Sequence, residues 1–381
     1  MNEFKLGFGL MRLPVCSENP SDIDQDQLNQ MVDLFLDSGM TYFDTSYVYH
    51  NGASEVAIKK ALVDRHERSK YTLASKFPTF NLPTGNQIEE IFQEQLDKCG
   101  VEYFDYYLLH NLNRILYDLE VEKEHLFDYM KKWKQEGKIK HIGFSYHDDA
   151  KTLDKILTEH PEVEFVQIAM NYYDDQEPFI QGKACYDVIR KHNCLVVVME
   201  PVKGGALVNV PQSAKAKMQE LDPNASTASY AIRYCASYEG VLTVLSGMSN
   251  LQQVEDNVSY MKDFKPLTDQ EYDLLKYTKQ EIMKTWKYQC VDMTKLDDNE
   301  YQVSLSAIIR AYNSLLIQPI STFGAELNYY KSMRSDYDRS FEQADYSYLN
   351  ETINGAFDVN QAVKEAIDFL TKNSFQSYIE D

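Results

Sequence analysis

The sequence has few cysteines, and no two of them are closely spaced. None forms a C-x-x-C pair, so the pattern contains neither the framework of a disulfide-stapled domain nor the ligand spacing of a structural zinc site. We therefore predict no bound metal and a reducing compartment. The six cysteines are Cys16, Cys99, Cys185, Cys194, Cys235 and Cys290.

Long apolar runs and an excess of positive charge are also missing. No stretch approaches the roughly 18 uninterrupted apolar residues of a membrane-spanning helix, and charged residues interrupt the first segment where a secretion signal would begin. We expect a cytoplasmic protein without a membrane partner. Acidic residues outnumber basic ones by 59 to 38, and a net charge of −21 repels nucleic acid. The composition leaves the oligomeric state open.

A third absence concerns glycine. No G-x-G-x-x-G joins a strand to a helix, which argues against an open, doubly wound nucleotide-binding sheet. Instead, β-branched and aromatic runs alternate with stretches of helical periodicity. Eight such βα units, ending near Phe264, match the ~250 residues of a TIM barrel. The predicted strands are Gly7–Leu13, Thr41–Ser46, Tyr71–Phe77, Tyr106–His110, Lys140–Tyr146, Phe165–Asn171, Leu195–Val202 and Val241–Ser246.

The βα repeat stops at about Pro266. We interpret residues 1–265 as an α/β domain, a (β/α)8 TIM barrel, and residues 266–381 as a small, mostly helical C-terminal domain. No Gly/Ser linker separates them, so we expect the second domain to dock on the first. Apolar periodicity in the second domain predicts helices over Glu271–Trp286, Ser304–Leu316 and Asn360–Leu370.

Four polar residues stand at or just beyond the ends of three successive predicted strands: Asp44, Tyr49, Lys76 and His110. In a parallel barrel these ends share one rim. Carbonyl reduction needs a proton donor, and a tyrosine with a pKa near ~10 is a weak acid unless a cation lies beside it. Lys76 would supply that charge, Asp44 would hold the lysine, and His110 would hydrogen-bond the carbonyl oxygen. Each residue alone has a plain structural explanation, but the combination predicts a catalytic site.

These residues lie in segments that resemble the signatures of the aldo/keto reductase family, over roughly residues 1–262. The resemblance implies that the four residues form the family's catalytic tetrad. It also implies hydride transfer between NADP(H) and an aldehyde or ketone, with Tyr49 as general acid. The matching segments are Phe43-Asp44-Thr45-Ser46-x-x-Tyr49-x-x-Gly52-x-Ser54-Glu55, Ser75-Lys76, Leu109-His110, Gly143-Phe144-Ser145 and Ser246-Gly247-Met248-Ser249 through Asn257.

The same resemblance implies a nicotinamide cofactor site. Ser145 and Gln167 match the residues that hold the nicotinamide carboxamide. Met199 stands where many family members stack an aromatic ring on the nicotinamide, and its polarizable thioether can also cover a ring. Gln253 and Asn257 match residues at the adenosine end.

Glycine loops follow the last two predicted strands, at Lys203-Gly204-Gly205 and at Gly247-Met248-Ser249-Asn250. TIM barrels commonly bind phosphate through backbone N–H groups there. A plain glycine loop with a Ser or Asn helix cap is the simpler alternative, and the nearby tetrad favours phosphate binding by Lys203, Gly204, Gly247 and Ser249. Gly247 and Gln253 replace the Lys and Arg that grip the 2′-phosphate in some members, but Ser249 can still donate to it. NADP(H) is the first prediction and NAD(H) the second.

The segments Leu245–Ser249 and Ile308–Asn313 resemble a branch of the family whose C-terminal ferredoxin-like domain holds two iron–sulfur clusters. Such clusters need thiolates at C-x-x-C-x-x-C-x-x-x-C-P spacing, but Cys290 is the only cysteine after Cys235. We therefore predict a degenerate ferredoxin-like domain without a cluster. An alternative hypothesis is a nicotinamide-binding sensor or assembly module with negligible turnover, whose function lies in this domain.

Overall fold

Eight parallel strands close into a barrel in chain order, with β8 returning to pair with β1. The computed structural model describes residues 5–79, 86–319 and 326–373, so residues 320–325 and 374–381 of the predicted C-terminal domain lie outside the described part. The (β/α)8 TIM barrel is confirmed. Its strands are β1 (Leu6–Gly9), β2 (Tyr42–Asp44), β3 (Thr72–Pro78), β4 (Phe104–Leu112), β5 (Ile139–Tyr146), β6 (Phe165–Ala169), β7 (Leu195–Met199) and β8 (Val241–Ser246).

Helices occupy the connections and the C-terminal region. None of those in the described ranges is long and apolar enough to cross a membrane. They are α1 (Gln25–Asp37), α2 (Ser54–Ile58), α3 (Asn86–Cys99), α4 (Arg114–Leu116), α5 (Leu126–Gln135), α6 (Ala150–Glu159), α7 (Gly182–Lys191), α8 (Gln212–Leu221), α9 (Thr227–Ala236), α10 (Leu251–Met261), α11 (Asp269–Met283), α12 (Leu305–Leu316), α13 (Glu326–Arg334) and α14 (Val359–Asn373).

The first helix shows how the sequence builds a βα unit. It begins where the Asp24 carboxylate accepts a hydrogen bond from the Gln27 N–H at 3.0 Å. It ends before Gly39, whose φ of 87° is a left-handed conformation that glycine adopts readily at a helix end. On the face turned to the barrel it buries side chains spaced at one and two turns: Leu28, Met31, Val32 and Phe35.

The strand register brings the predicted site residues side by side. Asp44 pairs with Ala74 across β2 and β3, two residues before Lys76. Residues two apart in a strand point to the same face, so Asp44 and Lys76 both face the barrel interior. Ser145 and Gln167 are direct partners across β5 and β6. The predicted catalytic residues and the predicted nicotinamide-binding residues therefore lie together at the carboxyl ends of the strands.

Four strands, β1, β2, β6 and β7, are shorter than predicted. In β1 and β7 the backbone turns while the apolar run continues. β1 stops at Gly9, and Leu10–Arg12 form a 3-10 turn. β7 stops at Met199, because Glu200 adopts a left-handed conformation with a φ of 57°.

The C-terminal helices pack on the barrel and on one another. α11 lies against α8 and α9, and α12 lies against α14. Trp286 Nε1 donates to the Tyr173 hydroxyl at 2.7 Å, and Arg310 Nη2 lies 2.7 Å from Glu177 Oε1. Tyr173 and Glu177 belong to the loop between β6 and α7. The C-terminal helices thus dock on the barrel, whereas the domain division at residue 265 remains a prediction.

Candidate active site

Asp44 and Lys76 form a buried ion pair at the carboxyl end of the barrel. The Lys76 side chain is fully buried, and Asp44 is 1% exposed. The Lys76 ammonium donates to the Asp44 carboxylate and, at 2.8 Å, to the Thr45 carbonyl. Burial opposes the charge on Lys76, but Asp44 and Tyr49 outweigh it and raise the pKa of the lysine. Lys76 is therefore a fixed cation in a dry site.

Tyr49 and His110 complete the cluster. Lys76 Nζ lies 4.8 Å from the centroid of the Tyr49 ring. The Tyr49 and His110 rings lie 5.8 Å apart at an angle of 80°, and His110 Nδ1 is 3.1 Å from Ser46 Oγ. The four residues predicted as a tetrad therefore surround one point at the rim.

Burial sets the protonation of this cluster. It raises the pKa of Tyr49, although Lys76 acts in the opposite direction as expected from the sequence. Burial also lowers the pKa of His110 well below its usual range, and the Lys76 charge adds to that effect. At neutral pH, Tyr49 holds its proton and His110 is a neutral hydrogen-bonding group.

A second buried carboxylate supports the strand that carries the lysine. Glu55 Oε1 accepts hydrogen bonds from Ser75 Oγ and from Gln95 Nε2, both at 2.7 Å. Gln95 also donates to the Lys76 carbonyl at 3.1 Å. Glu55 and Ser75 lie in the motifs found in the sequence. Gln95 was missed, because a glutamine in a helix carries no signal of what it faces.

Ser145, Gln167 and Met199 lie together at the ends of β5, β6 and β7. Within the described residues, Gln167 Oε1 is buried without a hydrogen-bond partner, and its Nε2 lies 3.5 Å from Met199 Sδ. Ser145 Oγ accepts the Asn111 N–H at 2.7 Å, which leaves its hydroxyl proton for another acceptor. One open acceptor beside one donor fits the two ends of a carboxamide.

The loop after β8 opens helix α10. Ser249 is exposed, and its N–H donates to Gln253 Oε1 at 2.7 Å. Asn257 is buried, and its Nδ2 donates to Ser246 Oγ at 2.6 Å. Ser249 and Gln253 can therefore meet a ligand at the surface, whereas Asn257 braces the end of β8.

Arg12 is a cation at the same rim that sequence reasoning missed. It lies directly over Gly247, where an added Cβ would approach Arg12 Cγ to 2.9 Å. Burial lowers the pKa of Arg12, and Glu200 and Tyr49 oppose that effect. A single arginine after a short strand has no distinctive spacing. Arg12 nevertheless places positive charge between Tyr49 and the glycine loop.

Lys203 has a different environment from the one its sequence position suggests. Its side chain is fully buried, and Nζ lies 2.7 Å from Asp174 Oδ2 and 2.5 Å from Glu326 Oε1. The ammonium is therefore committed to two carboxylates. Any phosphate contact at Lys203 and Gly204 falls to their backbone N–H groups.

The model of the aldo/keto reductase family matches residues 5–280, most of the chain, and that range contains all four residues predicted as a tetrad. The chain belongs to the aldo/keto reductase family. It is therefore a member of a family of oxidoreductases, as the resemblance of its motifs implied. The family match ends inside α11.

Known proteins match the chain at low identity. The uncharacterized oxidoreductase YqkF from Bacillus subtilis is 22% identical over 294 residues, which cover 68% of this chain and 90% of YqkF. The NADP(+) aldo-keto reductase yakc from Schizosaccharomyces pombe is 28% identical over 221 residues, which cover 55% of this chain and 61% of yakc.

Two solved structures share the barrel fold. An aldo-keto reductase from Klebsiella pneumoniae in complex with NADPH has a TM-score of 0.58 and 20% identity, over 72% of this chain and 90% of that one. The holo form of AKR11C1 from Bacillus halodurans has a TM-score of 0.55 and 23% identity, over 72% and 91%.

Proposed function

We propose that the protein reduces an aldehyde or a ketone with NADP(H), and oxidises the corresponding alcohol in reverse. The observation that carries this proposal is the buried Lys76–Asp44 pair, with Tyr49 above the ammonium and His110 beside the tyrosine. Family membership supplies the reaction class. The geometry supplies a proton donor and a group that stabilises its conjugate base.

In this proposal each side chain has one task. When bound, the nicotinamide supplies a hydride to the carbonyl carbon. The Tyr49 hydroxyl donates its proton to the carbonyl oxygen, so the C=O double bond becomes a C–O single bond while a C–H and an O–H bond form. Lys76 stabilises the tyrosinate that remains, and Asp44 keeps Lys76 charged. Neutral His110 hydrogen-bonds the carbonyl oxygen and orients the substrate.

The cofactor would lie across the ends of β5 to β8. The Ser145 hydroxyl would donate to the carboxamide oxygen, Gln167 Oε1 would accept from the carboxamide amine, and Met199 would cover the ring. NADP(H) is favoured over NAD(H), because yakc carries NADP(+) in its name and the Klebsiella reductase was solved with NADPH. Phosphate contacts are proposed for the backbones of Lys203 and Gly204 and for Gly247, Ser249 and Gln253, with Asn257 bracing this end.

We propose that the C-terminal helices are a ferredoxin-like domain that has lost its clusters. Counting the cluster spacing from Cys290 places the next ligands at Met293, Leu296 and Glu300, of which the first two are buried in the apolar core. A second motif placed before Phe357 would put its ligands at Gln343, Tyr346, Leu349 and Ile353, of which the last three are buried. None of these side chains is a thiol, which supports the proposal of a reductase without iron–sulfur clusters.

Replacing Tyr49 with phenylalanine tests the proposed acid. Tyr49→Phe removes the proton donor and leaves the proposed nicotinamide contacts in place. We expect the rate of NADPH oxidation with a reactive aldehyde to fall by about 10² or more, with an unchanged Kd for NADPH. Absorbance at 340 nm gives the rate, and cofactor fluorescence gives the Kd.

Tyr47→Phe is the matched control, because Tyr47 lies two residues away and its hydroxyl donates to Glu94 at 3.1 Å on the protein surface. It should react like the wild type. If wild type binds NADPH tightly but reduces nothing in a broad carbonyl panel, the sensor hypothesis replaces the reductase. If Tyr49→Phe reduces aldehydes as fast as wild type, another group is the acid.

A further inference from the structure

Helix α13 of the C-terminal region lies across the catalytic rim. Its first residue, Glu326, is fully buried and accepts a hydrogen bond from Lys203, just beyond β7. Two residues later, Asn328 Nδ2 donates to Asn111 Oδ1 on β4 at 3.3 Å. One helix from outside the βα repeat thus contacts strand ends on two sides of the proposed nicotinamide site.

Asn111 sits at an irregular point of the barrel. β4 has one more residue than β5 between Leu109 and Leu112, and this bulge holds His110 and Asn111. The φ of Asn111 is 63°, a left-handed conformation that asparagine adopts more readily than other residues with a Cβ. The side chain of Asn111 is the part of this bulge that Asn328 contacts.

The bulge connects the two halves of the proposed site. His110 is the proposed partner of the carbonyl oxygen. The N–H of the next residue, Asn111, donates to Ser145 Oγ at 2.7 Å. That bond uses an acceptor site of the serine and directs its single proton elsewhere. Asn328 and Asn111 are each 8% exposed, so water competes little for the hydrogen bond between them.

The contact at Lys203 holds the other side. Lys203, Gly204 and Gly205 have successive φ values of 49°, 59° and 99°, so all three are left-handed. Because glycine is conformationally permissive, such a loop can adopt several backbone conformations. The Lys203 ammonium fixes this loop by pairing with Glu326 and with Asp174. Glu326 in turn accepts from Ser314 Oγ of α12 at 2.8 Å.

We propose that Asn328 and Glu326 are positioning residues for hydride transfer. Asn328 holds the bulge that presents His110 and Ser145, and Glu326 holds the loop that begins at Lys203. The C-terminal region is then part of the reductase site and not a separate module. This inference rests on the proposed reductase function.

Asn328→Ala tests the inference in the full chain. Loss of one neutral hydrogen bond should lower kcat/KM by about two- to tenfold. Because the bulge would orient the nicotinamide and the carbonyl less well, the loss should fall on hydride transfer. We therefore expect a larger kinetic isotope effect with NADPH deuterated at the transferred position. A purely structural role would lower the amount of folded enzyme without changing that isotope effect.

Ser332→Ala is the control on the same helix. Ser332 lies one turn after Asn328, and its Oγ donates to Asp148 Oδ2 at 2.8 Å without touching the bulge. It should keep the wild-type isotope effect. Combining Asn328→Ala with Ser145→Ala should cost less than the sum of the two single changes, because Asn328 acts through Ser145.

Glu326→Gln tests the second contact with little change in shape. We expect weaker NADPH binding, by a few-fold in Kd, measured by cofactor fluorescence. Wild-type isotope effects in Asn328→Ala, or full additivity with Ser145→Ala, would overturn the role of Asn328. A wild-type Kd in Glu326→Gln would overturn the role of Glu326. Absence of turnover in the wild type would instead reject the reductase proposal, and the NADPH Kd values would still test the positioning of the site.

Discussion

His147 follows β5 at the rim, and burial lowers its pKa to about 4. Its Nδ1 is buried without a hydrogen-bond partner among the described residues. An unfolded histidine has a pKa near ~6.5, so the unfolded chain binds more protons than the folded one between these two values. The free energy of unfolding should therefore fall as the pH drops from about 6.5 to about 4, by up to about 3 kcal/mol.

Urea unfolding of wild type and His147→Asn at several pH values between 7 and 4 measures how much of this loss of unfolding free energy comes from His147. The variant should lose less stability on acidification, because it has no imidazole to protonate at this position. Parallel stability curves for the two proteins would contradict the assignment. Burial also lowers the pKa of His110, and a protonated His147 adds to that effect, so the variant loses this coupling together with the His147 imidazole.

Sequence reasoning located single residues well where a strand end places them. Asp44, Lys76 and His110 follow apolar runs, and the barrel closes those ends into one rim. The partners of Lys203 were out of reach, because Asp174 lies in a loop and Glu326 comes 123 residues later in the chain. The residue pattern of a strand or a helix predicts which side chains are buried locally. It does not predict which distant carboxylate pairs with a lysine.

At the scale of elements, β5 and β6 approach so closely that only glycine fits at Gly143. A Cβ built there would lie 2.5 Å from the Phe165 ring and 2.6 Å from the Phe165 carbonyl oxygen. Gly143→Ala must push the two strands apart, and overpacking of this kind costs about 1–3 kcal/mol. The midpoint of guanidinium unfolding should fall accordingly.

Gly9→Ala on β1 provides a strand glycine with more room, since its nearest neighbour beyond the adjacent residues, the Ser246 carbonyl oxygen, would be 3.4 Å from the new Cβ. It should lose much less stability than Gly143→Ala. Equal losses would mean that the cost arises from any added methyl in the barrel, and not from the close approach at Phe165.

Elements were easier to predict than their ends. The helix α12 begins and ends within one residue of its prediction, because a serine cap and an apolar stripe mark it. β1 and β7 were predicted too long, because Leu10 and Val202 continue an apolar run through a turn. Hydrophobicity measures burial, whereas the end of a strand is set by φ and ψ, as at Glu200.

At the scale of the molecule, the barrel and the C-terminal helices share buried charge. Glu177 pairs with Arg310 of α12 at 2.5 Å and with Lys279 of α11 at 2.8 Å. The Lys203–Glu326 pair is buried on both sides. Separating the two parts would break these buried ion pairs, which costs more free energy than breaking exposed pairs. We therefore expect one cooperative thermal transition for the full chain, with agreement between its calorimetric and van 't Hoff enthalpies.

Arg310→Met tests that expectation, because methionine keeps an apolar side chain and lacks the guanidinium that pairs with Glu177. If the two parts unfold as one, the variant should shift the whole transition to lower temperature and leave its shape unchanged. Near-ultraviolet dichroism and tryptophan fluorescence should then report the same midpoint, since Trp133 lies in the barrel and Trp286 lies at the junction with the C-terminal helices. Two resolved transitions, of which only one moves, would show that the C-terminal helices unfold independently of the reductase barrel.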